Sequence, residues 1–226
     1  MRVVMLAFPE MTQLDLTAPH EVFCRFREIS IEVVWKVPGP LAATGGLQLS
    51  TTATYETCPQ ADILFVPGGA GQMALMDDEP TLAFLRHQAE KAQYVTSVCT
   101  GSLVLAAAGL LTGYRATCHW ASLAQLGYFG VEPVAERVVI DRNRVTGAGV
   151  TSGIDFALVL MSLVFGEDRA RRTQLFMEYD PQPPFPGGST KSCDPAFVAE
   201  ARNMMAGFQA KREEAARKAA KLLKGR

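Results

Sequence analysis

Along the chain, short continuous apolar runs alternate with amphipathic ones. "RVVMLAF" and "IEVVWKV" are apolar at nearly every position, as strands buried on both faces are. Between them, "LDLTAPHEVFCRFRE" (14–28) has helical spacing. "ADILFVPGG" reads as a buried strand closing on a glycine turn. "DEPTLAFLRHQAEKAQ" reads as an amphipathic helix, with Asp77 or Asp78 as its N-cap ahead of Pro80. The strand "QYVTSV" runs into the helix "GSLVLAAAGLL" with one residue, Cys99, at the junction. "GYRATCHW" is expected to form another short strand, and "VAERVVIDRNRVTGAG" a hairpin turning at Asp141 to Asn143. "TSGIDFALVLMSLVF" and "EDRARRTQLFMEY" read as two further helices.

Strands alternating with helices predict an α/β fold with a doubly wound, mostly parallel sheet and helices on both faces. The stretch "DPQPPFPGGSTKSCDP" (180–195) is too rich in Pro and Gly for a regular element, and strong helix formers follow it. The expected organisation is an α/β domain over residues 1–180. Residues 181–226 form its Pro/Gly loop and C-terminal helical extension.

Composition narrows the function classes. With 22 basic and 23 acidic residues in 226, no global attraction to nucleic acid or anionic lipid is expected. The apolar run before Pro9 is too short for a signal sequence, and no run has the length of a membrane span. Five cysteines, Cys24, Cys58, Cys99, Cys118 and Cys193, are widely spaced and form no C-x-x-C, which argues against a disulfide framework or a zinc site. A reducing cytoplasm is the simplest setting. Residues 211–226 hold seven basic and two acidic side chains, and a solvated helix end is the favoured account of them.

Cys99 is the one cysteine at a strand–helix junction. In a doubly wound sheet that position faces the ligand crevice. The helix N-terminus there favours negative charge and so a thiolate. Thr100 and Gly101 allow the sharp turn of a nucleophile elbow. The alternative is a small buried residue; Cys24, Cys58, Cys118 and Cys193, which lack this setting, are taken as structural or incidental. "VPGGAGQ" (66–72) ends the preceding strand, so its amides are either an anion-stabilising turn or a plain βα connection. Two proton partners are open: Asp15 after the first strand, whose alternative is an N-cap, and His119, whose alternative is a packed core histidine.

At these residues the chain resembles the ThiJ/PfpI superfamily over residues 1 to about 180. The likeness rests on "FPEMTQLDLTAPHEVF", "PGGAG", "SVCTGSLVLAAAGLLTGYRATCHW" and "TGAGVTSGIDFAL". Within the superfamily, Asp15 in place of the usual glutamate and Thr100 after the cysteine are most similar to isocyanide hydratases. The resemblance implies a flavodoxin-like sandwich, a homodimer, no cofactor and no metal. It implies hydration of a small-molecule isocyanide to an N-substituted formamide through a thioimidate on Cys99. Asp15 is then the proton donor and water activator, and Thr100 orients Asp15 or the intermediate. Backbone amides near Gly69, Ala70 and Thr100 stabilise charge, and Val150 and His119 line the substrate site. Ala18 stands where glycine is common and is expected to shape the pocket floor.

Two other activities fit the same residues: a Cys99–His119 hydrolase or deglycase, and a redox sensor acting through oxidation of Cys99. A ligand-sensing half of an AraC-type regulator is set aside, because that fusion needs further helix-turn-helix units. Phe197, Met204, Met205 and Phe208 are expected either at a partner contact or packed on their own domain.

Overall fold

The computed structural model of the chain describes residues 1–225. In chain order the elements are β1 (Arg2–Leu6), α1 (Gln13–Phe23), β2 (Ser30–Trp35), β3 (Pro40–Ala42), β4 (Gln48–Ser50), β5 (Ala53–Thr54), β6 (Ile63–Val66), α2 (Gln72–Leu75) and α3 (Glu79–Ala89). β7 (Tyr94–Val98), α4 (Gly101–Ala107), β8 (Arg115–Ala116), a 3₁₀ segment (Leu123–Phe129), β9 (Glu132–Pro133), β10 (Val138–Asp141), β11 (Arg144–Gly147), α5 (Ser152–Phe165), α6 (Glu167–Phe176) and α7 (Pro195–Lys224) complete it.

Seven strands form the main sheet in the order β10-β11-β7-β6-β1-β2-β5. All neighbours are parallel except the β10–β11 hairpin. Every residue of β6 is fully buried, as are Val3 to Leu6 of β1, which is why those runs are uninterruptedly apolar. Helices α1, α5 and α6 pack together, while α2, α3, α4 and α7 form a second group. The fold is thus the expected mostly parallel α/β sandwich. α3 begins as anticipated: Asp78 is its N-cap and accepts from the Thr81 N–H at 3.0 Å.

Three elements stop earlier than the sequence pattern suggests, each for a visible reason. α1 ends at Phe23 because the next residues turn tightly, Phe26 N–H bonding Phe23 O at 3.0 Å. That turn drops Phe26 into the core, where it stacks on Phe165 at 5.2 Å. α4 ends at Ala107 because Gly109, at φ +81°, takes the left-handed C-terminal position. β8 holds only Arg115 and Ala116, paired with β9 in a separate two-stranded sheet. The Thr117 N–H goes to Thr146 Oγ1 at 2.9 Å instead of continuing the ladder. Cys118 and His119 therefore lie in irregular chain after β8, not on a strand.

α7 is no uniformly solvated helix. Its buried residues are Arg212, Ala216, Ala219 and Ala220, and it packs on α4, α2 and the 3₁₀ segment. Phe197 and Met204, by contrast, are exposed, so they do not pack on their own domain. Ala18 also sits elsewhere than expected. It lies at the α1–α5 contact, where a Cβ on Gly153 would stand 3.3 Å from the Ala18 Cβ.

Candidate active site

β7 ends at Val98, and Cys99 follows at φ +57° before α4 opens. A non-glycine residue in that region costs about 1–3 kcal/mol and persists only where its surroundings impose it. Here the Cys99 N–H donates to Gly147 O and Ala148 O, at 3.1 and 2.7 Å. On the other side, Gly101 lets α4 start directly against β6: a Cβ there would meet Val66 O at 2.2 Å. The elbow is thus clamped between the ends of β11 and β6.

Asp15 reaches the elbow from the first turn of α1 and is fully buried. Thr12, not Asp15, is the N-cap residue, so the capping alternative falls. Asp15 Oδ2 accepts from the Gly68 N–H at 3.0 Å. Its carboxyl lies beside the Cys99 thiol. Yet Oδ1 is enclosed without a well-aligned hydrogen bond.

Burial pushes the Asp15 pKa up to about 6, opposed by the Cys99 thiol and the Gly68 amide. Cys99 itself is raised well above the ordinary thiol range, first by burial and then by the Asp15 charge, with only the Thr100 N–H pulling the other way. This corrects the expectation of a thiolate held by the helix N-terminus. Between β7 and α4 the sulfur is too dry, and too close to a carboxyl, to ionise alone. Nor does it sit at a pocket mouth, being only 5% exposed.

Thr100 is bound to the glycine turn rather than to Asp15. Its Oγ1 accepts from the Gly69 N–H at 3.1 Å. The Gly68 and Gly69 amides are thereby engaged by Asp15 and Thr100, and the amide at the sulfur is that of Thr100. Ala70 leads on towards α2, its carbonyl accepting from the Met73 N–H at 3.4 Å. Gly68, which the sequence pattern did not single out, is the spacer of the site. A Cβ on it would stand 2.8 Å from Asp15 Oδ2 and 2.7 Å from Thr100 Oγ1. Only the "PGG" doublet hinted at it.

Beside the elbow lies a cleft of about 480 Å³. Cys118, His119, Trp120, Ala148, Val150 and Lys191 are among its walls. Cys99 is behind these walls and is linked to them through its bond to Ala148 O. Val150 and His119 thus meet in the cleft, while Asp15 and Thr100 stand at the thiol and Gly69 is held to Thr100. The His119 ring accepts from the Ala121 N–H at 3.3 Å, and burial, then the Arg212 charge, lowers its pKa. Among the described residues no hydrogen bond joins His119 to Cys99, and no cluster of His, Cys, Asp or Glu could hold a metal ion. No described helix is long and apolar enough to cross a membrane.

Comparison with known proteins gives the same picture. The chain is 49% identical over 223 residues to an isonitrile hydratase of Pseudomonas putida, covering 98% of each. It is 37% identical over 128 residues to the HTH-type transcriptional regulator GbdR of Pseudomonas aeruginosa, covering 56% of this chain and 35% of the regulator. A solved structure of a ThiJ/PfpI family protein from Pseudomonas syringae superposes with a TM-score of 0.92 at 43% identity, covering 95% of this chain and 90% of that one. Residues 1–163 match the model of the DJ-1/PfpI family, and with the strained cysteine elbow in the middle of that match, the chain belongs to the DJ-1/PfpI family.

Proposed function

We propose that this protein hydrates isocyanides to N-substituted formamides, with Cys99 as nucleophile and Asp15 as its proton partner. The observation that carries this is the burial of the Asp15 carboxyl beside the Cys99 thiol on the strained elbow. The 49% identity to an isonitrile hydratase, over 98% of each chain, supports the substrate class.

The chemistry follows from the pair's charge state. A thiol with a raised pKa reacts only if its proton leaves as the S–C bond forms. Asp15, with a pKa of about 6, is ionised at neutral pH and takes that proton. As the sulfur attacks the terminal carbon of R–N≡C, Asp15 delivers the proton to the same carbon, leaving a thioimidate, S–CH=N–R. Water then adds to the thioimidate carbon, its proton passing to Asp15. Asp15 passes that proton to the nitrogen, giving S–CH(OH)–NH–R; collapse to the carbonyl then breaks the S–C bond, the hydroxyl proton returns to the sulfur, and R–NH–CHO departs with the thiol restored. The isocyanide substituent extends into the cleft bounded by Val150, Trp120 and His119.

The test is formamide production from an aryl isocyanide by the native chain, Cys99→Ala and Asp15→Asn. Loss of turnover in the first and a steep fall in the second support both roles. A Cys99→Ser variant retaining most of the turnover would overturn the covalent scheme. A homodimer in the cytoplasm belongs to the same proposal. The exposed Phe197 and Met204 on α7 and five unpaired cysteines fit it, and sedimentation velocity of the native chain reads the dimer directly.

A further inference from the structure

Most glycines around the elbow have something standing against them. A Cβ on Gly71 would meet Pro9 O at 2.0 Å, one on Gly101 Val66 O at 2.2 Å, and one on Gly69 Thr12 N at 2.4 Å. On Gly147 it would stand 2.9 Å from Ser152 Oγ. Gly149 is different. Its φ lies outside the left-handed region, so its backbone suits other residues. Chain neighbours aside, one described atom lies within 4 Å of where its Cβ would be: His119 Cδ2, at an ordinary contact distance of 3.6 Å. Nor does its turn ask for glycine. Gly149 O accepts from the Ser152 N–H at 2.8 Å ahead of α5, and the first position of such a turn is open to most residues.

What the missing side chain leaves is space in the cleft. Gly149 and His119 both line it, so a side chain at position 149 would grow towards the His119 wall. The position is also close to the elbow. The Cys99 N–H donates to Ala148 O at 2.7 Å, and the Gly149 nitrogen is bonded to that same carbonyl carbon. In the thioimidate the substituent begins only one carbon and one nitrogen away from the sulfur. A ring or a branch at its first atom therefore competes for room with any side chain at 149.

We propose that Gly149 is a specificity-determining residue, whose missing side chain admits isocyanides bearing a ring or a branched carbon directly on the nitrogen. This rests on the hydratase reading and names its substrate class. An alanine at 149 removes a methyl's worth of space beside the substituent without straining the backbone, and a valine removes more. A straight chain bends away from that methyl, whereas a ring or a tertiary carbon has no such freedom. One methyl group of misfit in an apolar pocket changes kcat/KM by about tenfold or more.

The test compares kcat/KM for tert-butyl and n-butyl isocyanide in the native chain, Gly149→Ala and Gly149→Val. The branched-to-straight ratio is expected to fall about tenfold in the alanine variant and further in the valine variant. A merely structural role would slow both substrates together and leave the ratio alone. Should Gly149→Val melt early, the unstrained Gly149→Ala carries the same expectation. A ratio within twofold of the native one in the folded variants would overturn the proposal. A second readout needs no isocyanide: alkylation of Cys99 by iodoacetamide and by its bulkier N-phenyl derivative, followed on the Cys99 peptide by mass spectrometry. If the native chain hydrates neither isocyanide, the hydratase reading fails separately and the alkylation ratio judges Gly149. A fall of about threefold to tenfold for the N-phenyl reagent then supports its width-setting role, and a ratio within twofold of native overturns it.

Discussion

The Gly68 amide donates to Asp15 Oδ2 across 3.0 Å, so the end of β6 holds the acid that α1 carries in. Nothing larger than glycine fits there, since a Cβ would lie 2.6 Å from Thr100 N and 2.8 Å from Asp15 Oδ2. Gly68→Ala must push Asp15 and Thr100 apart. It is expected to cost about 1–3 kcal/mol of stability, as overpacking of a tight interior does. Hydration should fall at least tenfold, and the paired measurement is turnover against urea midpoint. A variant that keeps full turnover would show that this spacing is not needed.

Asp15 should make stability and activity trade against each other. Its pKa rises from 3.8 to about 6 through burial, so the folded chain holds its proton more tightly than the unfolded one. Stability from this group is fully present below pH 3.8 and is lost as pH rises through about 6. By pH 8 the loss amounts to as much as about 3 kcal/mol. Asp15→Asn cannot ionise, so it should be more stable than the native chain at pH 8 and nearly equal at pH 4. Its turnover should fall by about 10²–10⁴. Chemical denaturation at the two pH values checks the first part, and a stability gain that does not depend on pH would contradict it.

Cys99 offers a backbone test. At φ +57° an alanine is strained and a glycine is not. Cys99→Gly should therefore be more stable than Cys99→Ala by about 1 kcal/mol, the reverse of the usual order, since glycine normally loses more chain entropy on folding. Both should lack turnover. Melting temperatures of the two variants decide the matter, and an alanine variant that melts higher would mean that the elbow is relaxed.

The frame of this fold is legible in sequence because it is made by local pattern. β1, β6 and β7 are apolar because both faces of a parallel sheet are covered, and Asp78 caps α3 by a bond to its own third neighbour. The short strands β3, β4 and β5 carry no such pattern, and β8 is cut short where the Thr117 N–H turns to Thr146 on another segment. Asp15 and Cys99 were visible because each stands at a strand–helix junction. The charge state of the pair was not, since it depends on burial that the assembled core creates. Arg212 was hidden most thoroughly: within a run of lysines, arginines and alanines nothing marks it as an arginine that turns inward.

His119 separates the hydratase reading from a Cys–His hydrolase. A histidine base must be within hydrogen-bond reach of the sulfur, directly or in the complex. Here its ring accepts from the Ala121 N–H at 3.3 Å, and both burial and the Arg212 charge disfavour its protonated form. It is thus held neutral in the cleft wall, next to Trp120, where the hydratase reading has it contact the substrate. Removing it should widen the cleft without disturbing the Asp15–Cys99 pair. His119→Ala is expected to raise KM for an aryl isocyanide about threefold to tenfold, in line with lost apolar contact of about 1 kcal/mol, while kcat stays within about threefold. The ionisation expected in kcat/KM near pH 6 should remain, because it belongs to Asp15. A kcat that collapses in His119→Ala, or a pH profile that loses its acidic limb there but not in Asp15→Asn, would assign the proton transfer to the histidine.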